Sequence, residues 1–127
     1  MTYVIAEIGV NHNNNINISK KIIDFCVKEK VDAVKFQTFN AEQLALKNTP
    51  KVNYQLKSKN DKESHFKMLK RLELSKKDHE YLLTYCKKKR IDFISTPYDV
   101  ESAKFLNSVY FDYIIVGCSV FIDYLFD

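Results

Sequence analysis

Short apolar runs along this chain alternate with stretches in which apolar residues recur every three or four positions. Residues 3–8 (Tyr-Val-Ile-Ala-Glu-Ile) predict a first strand, apolar on both faces except at Glu7. Gly9 to Asn15 is a polar loop, and Ile18, Ile22, Ile23, Cys26 and Val27 then repeat at helical spacing over about 17–30. Residues 31–37 (Val-Asp-Ala-Val-Lys-Phe-Gln) predict a second strand. The Asn- and Lys-rich stretch 38–62 is longer than an ordinary βα loop, which points to a functional or partly helical insertion. Phe66, Leu69 and Leu72 mark a helix near 63–73. Ser75 with Asp78 three residues on resembles a capping box, opening a helix with Tyr81, Leu82, Tyr85 and Cys86 inward. Residues 91–96 predict a third strand ended by Pro97, and Asp99 caps a short helix carrying Val100, Ala103 and Leu106. Residues 112–118 predict a fourth strand. Apolar strands alternating with amphipathic helices imply a parallel sheet of right-handed βαβ units. A doubly wound sheet and half of a barrel share this order of elements, and the pattern alone does not separate them.

Composition narrows the class without naming a function. The chain has 127 residues, the length of one ordinary domain, and no apolar run long enough for a transmembrane helix. Its N-terminus lacks a basic region followed by an apolar run, so no secretory signal is expected. The net charge is +4, but the basic residues are nearly all Lys and the aromatics fall in core patterns. Nucleic-acid binding is therefore not expected. The run Lys87-Lys88-Lys89-Arg90 closes a predicted helix, where cations complement the dipole. Cys26, Cys86 and Cys118 are odd in number and widely spaced, consistent with small apolar thiols in a reducing cytoplasm. Two Gly in the whole chain argue against a glycine-rich phosphate loop. No His, Cys, Asp and Glu spacing makes a complete metal site.

Candidate chemistry sits at the predicted strand ends, where parallel α/β folds bind ligands. Glu7 lies near the end of the first strand, Lys35 and Gln37 end the second, and Ser95 and Thr96 end the third. Alternation places Glu7 with Tyr3 and Ile5, and Lys35 with Ala33 and Gln37. A carboxylate and an ammonium thus point into one space, and burial demands that they be paired. They form either an ion pair that holds the sheet or a site for an anionic ligand, since Lys, Ser and Thr suit phosphate and carboxylate oxygens. Glu7 serves as general acid or base if burial raises its pKa. Asn11 and His12, in the run Asn11-His12-Asn13-Asn14-Asn15, either hydrogen-bond sugar hydroxyls or form a turn tolerant of left-handed backbone. His65 and His79 sit on helix patterns as surface or internally satisfied side chains.

Four blocks together resemble the sialic acid synthase family, which includes N-acetylneuraminate, legionaminic and pseudaminic acid synthases. They are Ile5-Ala6-Glu7-Ile8-Gly9-Val10-Asn11-His12-Asn13, Asp32-Ala33-Val34-Lys35-Phe36-Gln37-Thr38-Phe39, Met68-Leu69-Lys70-Arg71-Leu72-Glu73-Leu74-Ser75 and Phe93-Ile94-Ser95-Thr96-Pro97-Tyr98-Asp99. Their order and spacing match the family across about residues 3–114. The resemblance implies a β/α (TIM-type) barrel, of which this chain carries the first half, about four βα units. It implies condensation of phosphoenolpyruvate with an N-acylated amino sugar of N-acetylmannosamine type, giving a nonulosonic acid and phosphate. A divalent metal, Mn²⁺ or Mg²⁺, activates the sugar aldehyde in the family; its histidine ligands belong to the second half of the barrel. By the same resemblance Glu7 positions water or moves a proton, Lys35 lies near the phosphoenolpyruvate anion, and Thr96 contacts its phosphate. Asn11 and His12 match the family's Asn-His motif.

Departures from the family pattern carry their own expectations. Asn14 stands where Gly is usual, Ile115 where a phosphoenolpyruvate-binding lysine belongs, and Cys118 where a serine belongs. Replacing an ammonium with a butyl group removes a charge-assisted contact. Residues 115–127 match no family block and read as degenerate, and residues 1–127 form a single partial barrel domain. No synthase turnover is expected from this polypeptide alone. Open sheet edges make self-association possible. The alternative is a non-catalytic half-barrel that binds a ligand or pairs with another chain.

Overall fold

The computed structural model describes residues 2–48, 50–51, 63–109 and 113–114. In chain order the elements are β1 (Ile5–Gly9), α1 (Ile16–Lys28), β2 (Ala33–Thr38), α2 (Ala41–Leu44), α3 (His65–Leu72), α4 (Lys76–Lys89), β3 (Asp92–Pro97), α5 (Val100–Ser108) and β4 (Tyr113–Ile114). Every predicted element is present, with ends moved by a residue or two. The exception is the fourth strand, of which only Tyr113–Ile114 are described; the readings of Ile115, Cys118 and the degenerate end 115–127 lie outside the described residues. Within the long insertion, α2 supplies the expected helical part, capped by the Asn40 side chain.

The four strands are parallel and lie side by side in chain order, β1-β2-β3-β4. This order decides what the hydrophobic pattern left open. A doubly wound sheet reverses its strand order at a switch point and carries helices on both faces. Among the described residues the order never reverses, and α1, α4 and α5 pack on one face. The described residues form an open, partial β/α barrel sheet.

Helix ends follow their sequence signals. Asn15 caps α1, its side chain accepting from the Asn17 and Ile18 N–H groups at 2.9 and 3.2 Å. The Ser75 hydroxyl accepts from the Asp78 N–H at 3.1 Å. The second half of the capping box differs from expectation: the Asp78 carboxylate accepts from the Ser75 hydroxyl at 2.6 Å. The usual Glu reaches the N-cap backbone N–H; Asp is one methylene shorter. Asp99 is buried and caps α5, accepting from the Ser102 N–H and hydroxyl, both at 2.7 Å, and from the Asn40 N–H at 2.8 Å.

The core lies between the sheet and the layer formed by α1 and α4. Ile8, Val34, Phe36 and Phe93 from the strands meet Ile23, Cys26, Leu82, Leu83 and Cys86 from the helices. Phe36 and Phe93 stack with ring centroids 4.9 Å apart. Burying a side chain such as Phe36 stabilises the fold by about 2–3 kcal/mol. Cys26 and Cys86 are buried and free, and burial pushes the Cys86 thiol up to about 12, in keeping with an apolar role. Tyr81 is exposed rather than inward; Leu83 takes the inner position, because α4 turns its Leu82–Leu83–Cys86 stripe to the sheet. Along the edge of β1, Tyr3, Val4 and Ile5 are exposed. No helix among the described residues is long and apolar enough to cross a membrane.

Candidate active site at the strand ends

The sheet face away from the helices carries the first group of polar side chains. Glu7 and Lys35 are Cα partners on β1 and β2, so they project side by side from the same face. Their ion pair closes at 2.6 Å between Glu7 Oε2 and Lys35 Nζ. The burial expected for this pair is only partial: the side chains are 48% exposed for Glu7 and 25% for Lys35. At these exposures the pair remains reachable from solvent.

Gly9 shapes the same corner. The β1–β2 register shifts between Glu7 and Gly9, and Gly9 has φ +54, a left-handed conformation that a side chain disfavours. A Cβ at this position would sit 3.3 Å from Glu7 Oε1 and 3.4 Å from Gln37 Nε2. The missing side chain therefore leaves space for the Glu7 carboxylate and the Gln37 amide to converge. One strand further on, Gln37 is the Cα partner of Thr96. Thr96 is buried, and its hydroxyl has no hydrogen-bond partner among the described residues. Glu7, Lys35, Gln37 and Thr96 thus share one face across three strand ends: a carboxylate, an ammonium, an amide and an unpaired hydroxyl. Such a set suits an anion bearing phosphate or carboxylate oxygens.

The other candidates lie elsewhere. Ser95 and Thr96 are consecutive strand residues, so alternation forces them to opposite faces, and Ser95 points into the helix layer. There it is fully buried, its hydroxyl 2.7 Å from Thr38 Oγ1. Thr38 Oγ1 in turn lies 2.8 Å from His79 Nε2, and His79 Nδ1 lies 3.0 Å from the Ser75 carbonyl. A carbonyl only accepts, so Nδ1 carries the proton, Nε2 accepts from Thr38, and Thr38 accepts from Ser95. Burial holds the His79 pKa below the usual histidine range, consistent with this neutral form.

His12 is likewise on the helix side. It is fully buried against Phe36, with centroids 5.8 Å apart, and its Nδ1 accepts from the Asn14 N–H at 2.9 Å. Its Nε2 has no hydrogen-bond partner among the described residues. Burial, and secondarily the nearby His79, lower its pKa. Phe36 and Lys35 face opposite ways, so the ring that packs on Phe36 does not join the Glu7–Lys35 pair. Asn11 is exposed on the loop after β1, its backbone N–H bonded to the Ile8 carbonyl at 3.0 Å. Asn13 and Asn14 adopt left-handed backbone, φ 49 and 53, as the turn reading of this run expects.

Sequence reasoning passed over Gly9 and Thr38; of the two readings of His79, surface or internally satisfied, the structure shows the second. Alternation does hold the signal for Thr38: it is in phase with Val34 and Phe36, a polar residue at an interior position. Among the described residues no group of three His, Cys, Asp or Glu side chains is arranged to hold a metal ion. His79 is committed to its hydrogen bonds and His12 to packing on Phe36.

Comparison with known proteins finds relatives of the chain. A model described as the NeuB family matches residues 22–125. The N,N'-diacetyllegionaminic acid synthase of Campylobacter jejuni is 43% identical over 108 residues, covering 85% of this chain and 32% of that protein. The enzyme of the same name from Legionella pneumophila is 39% identical over 107 residues, covering 84% of this chain and 30% of that protein. Among solved structures, the N-acetylneuraminic acid synthetase of Leptospira borgpetersenii, determined in complex with citrate, superimposes with a TM-score of 0.75 at 27% identity. It matches over 97% of this chain and 39% of its own. The chain spans about a third of the length of the curated relatives it matches.

Proposed function

The chain belongs to the NeuB family, and from that membership and the strand-end geometry we propose that it carries the phosphoenolpyruvate-binding part of a nonulosonic acid synthase. Its relatives include synthases of legionaminic and sialic acids. The reaction proposed for the whole enzyme joins phosphoenolpyruvate to an N-acylated amino sugar of N-acetylmannosamine type. The enol carbon attacks the sugar aldehyde, water adds to the resulting cation, and phosphate leaves by C–O cleavage.

The observation that carries this reading is the Glu7–Lys35 pair at 2.6 Å, on the same face as Gln37 and the unpaired, buried Thr96 hydroxyl. In the proposal, Lys35 supplies a positive point charge to the anion, and the Thr96 hydroxyl donates to a phosphate or carboxylate oxygen. Gln37 offers an amide N–H beside the Glu7 carboxylate. Glu7 orients the attacking water or moves its proton, with Lys35 holding the carboxylate in place. Asn11, exposed at the mouth, is proposed to reach sugar hydroxyls. Ser95 and His12 act from behind the sheet, not on substrate. A divalent metal belongs to the proposed family reaction, but the described residues do not form a set of ligands for it, and no step here runs through one.

Ile115 and Cys118 stand at positions where the family pattern has phosphoenolpyruvate-binding groups. The polypeptide of 127 residues is therefore proposed to bind phosphoenolpyruvate weakly and to show no synthase turnover by itself, working in the cytoplasm as one partial barrel domain. The exposed edge of β1 supports self-association, which sedimentation at several concentrations will reveal. Calorimetric titration with phosphoenolpyruvate tests the main claim. Heat that saturates for the native chain and disappears in Lys35→Met is the expected result; no saturable heat in either contradicts it.

A further inference from the structure

Behind the anion face, at the ends of β2 and β3, lies a second layer of polar contacts. The Thr38–Ser95 hydroxyl bond runs diagonally across the ladder, because the Cα partner of Thr38 is Pro97 and that of Ser95 is Phe36. A diagonal tie resists sliding of one strand along the other in a way that a rung perpendicular to the strands does not. Two further links close the same mouth: the Tyr98 N–H donates to the Thr38 carbonyl at 3.0 Å, and the Asn40 N–H donates to Asp99 Oδ2 at 2.8 Å. His79, anchored to the Ser75 carbonyl at the start of α4, fixes the other side of the Thr38 hydroxyl. Each residue of the tie is the chain neighbour of a residue on the opposite face: Thr38 follows Gln37, and Ser95 precedes Thr96.

We propose that Thr38 is a positioning residue for the anion site: the buried relay Ser95–Thr38–His79 holds the ends of β2 and β3 so that Gln37 and Thr96 stay opposite one another. This inference rests on the reading of that face as the phosphoenolpyruvate site. Thr38 never touches the ligand. Its hydroxyl acts through the backbone, and the methyl group of threonine is dispensable.

The proposal separates Thr38→Val from Thr38→Ser. Valine keeps the shape but leaves His79 Nε2 and the Ser95 hydroxyl unpaired; serine keeps the hydroxyl. With the full chain, phosphoenolpyruvate affinity should fall roughly tenfold in Thr38→Val and return to within about twofold of native in Thr38→Ser. In parallel, the backbone amide resonances of Gln37 and Thr96 should move in Thr38→Val and stay in place in Thr38→Ser, with the His79 Nε2 nitrogen resonance reporting loss of the bond. Native affinity in Thr38→Val with unmoved Gln37 and Thr96 amides overturns the proposal. Should Thr38→Val fail to fold, Ser95→Ala removes the diagonal tie while leaving Thr38 bonded to His79. A native-like affinity and native-like Gln37 and Thr96 resonances in that variant then overturn the proposal. If the native chain binds no phosphoenolpyruvate, the anion-site reading fails, and the Gln37 and Thr96 resonances alone decide whether Thr38 positions them.

Discussion

The two faces of β2 carry different chemistry although their residues alternate one by one along the same strand. Val34, Phe36 and Thr38 point into the helix layer, where they are buried and where the one polar group, the Thr38 hydroxyl, is bonded on both sides. Lys35 and Gln37 point the other way, partly exposed, with Lys35 paired to Glu7 and Gln37 beside Gly9. On the first face the polar group of β2 is bonded within the chain. The other carries charge and amide on side chains that stay partly exposed. Polar residues on the first face serve the fold; those on the second are the ones proposed to meet a ligand.

The largest effect expected from breaking this comparison is on the covered face. Phe36→Ala should destabilise the fold by about 3–5 kcal/mol, since it empties the centre of the core and removes the stack on Phe93. Chemical denaturation checks it, and a loss under 1 kcal/mol would place Phe36 outside the core. His79→Ala comes next, at about 2–3 kcal/mol, because it opens a cavity and strips the Thr38 hydroxyl of its acceptor.

The same histidines predict a pH dependence. His12 and His79 have folded-state pKa values below the ordinary 6.5, so the unfolded chain takes up protons first as pH falls. Stability should be full above about pH 6.5 and decline through the window between 6.5 and the folded values, then level off with respect to these two groups. Melting temperatures measured from pH 7.5 downward will show that decline, and it should shrink in His79→Gln. Asp24 and Glu63, held low by Lys89 and Lys51 respectively, lose their contribution only in the more acid range of carboxylates. The two windows are therefore separable.

On the Glu7–Lys35 face the effects on stability shrink while those on binding grow. Gly9→Ala should cost about 1–2 kcal/mol from its left-handed backbone and also push the Glu7 carboxylate aside, weakening phosphoenolpyruvate binding. Lys35→Met should change stability by less than about 1 kcal/mol, as expected for a partly exposed ion pair, yet abolish anion binding. Opposite behaviour, a large stability loss with binding retained, would make the pair a structural bridge. Smallest of all is Asn14→Gly. It relieves a left-handed Asn but adds freedom to the unfolded chain, for a net change within roughly 0.5 kcal/mol.

Hydrophobic periodicity alone located the strands and helices, because both a helix stripe and strand alternation are written locally. Strand order is not local, and it took the sequential pairing β1-β2-β3-β4 to separate a barrel sheet from a doubly wound one. The Glu7–Lys35 pair was legible because two charges inside apolar strands need partners. Ser95 and His12 illustrate the limit of reading by proximity and by motif. Ser95 adjoins Thr96 in sequence, yet adjacency in a strand means opposite faces. His12 follows the strand end, but the turn through left-handed Asn13 and Asn14 accompanies a ring folded back onto Phe36. Gly9 was visible only as a loop residue until the register shift beside Glu7 gave it a role.

The Glu7–Lys35 face of β1, β2 and β3 is the proposed anion site, and the face toward the helices is structural. A residue-resolved NMR titration of the full chain with phosphoenolpyruvate distinguishes the two. Saturable shifts centred on Glu7, Lys35, Gln37 and Thr96 are expected, lost in Lys35→Met, with the side chains of Phe36 and His79 unmoved. Saturable shifts centred on His12 and His79 instead, or none at all, would contradict this assignment.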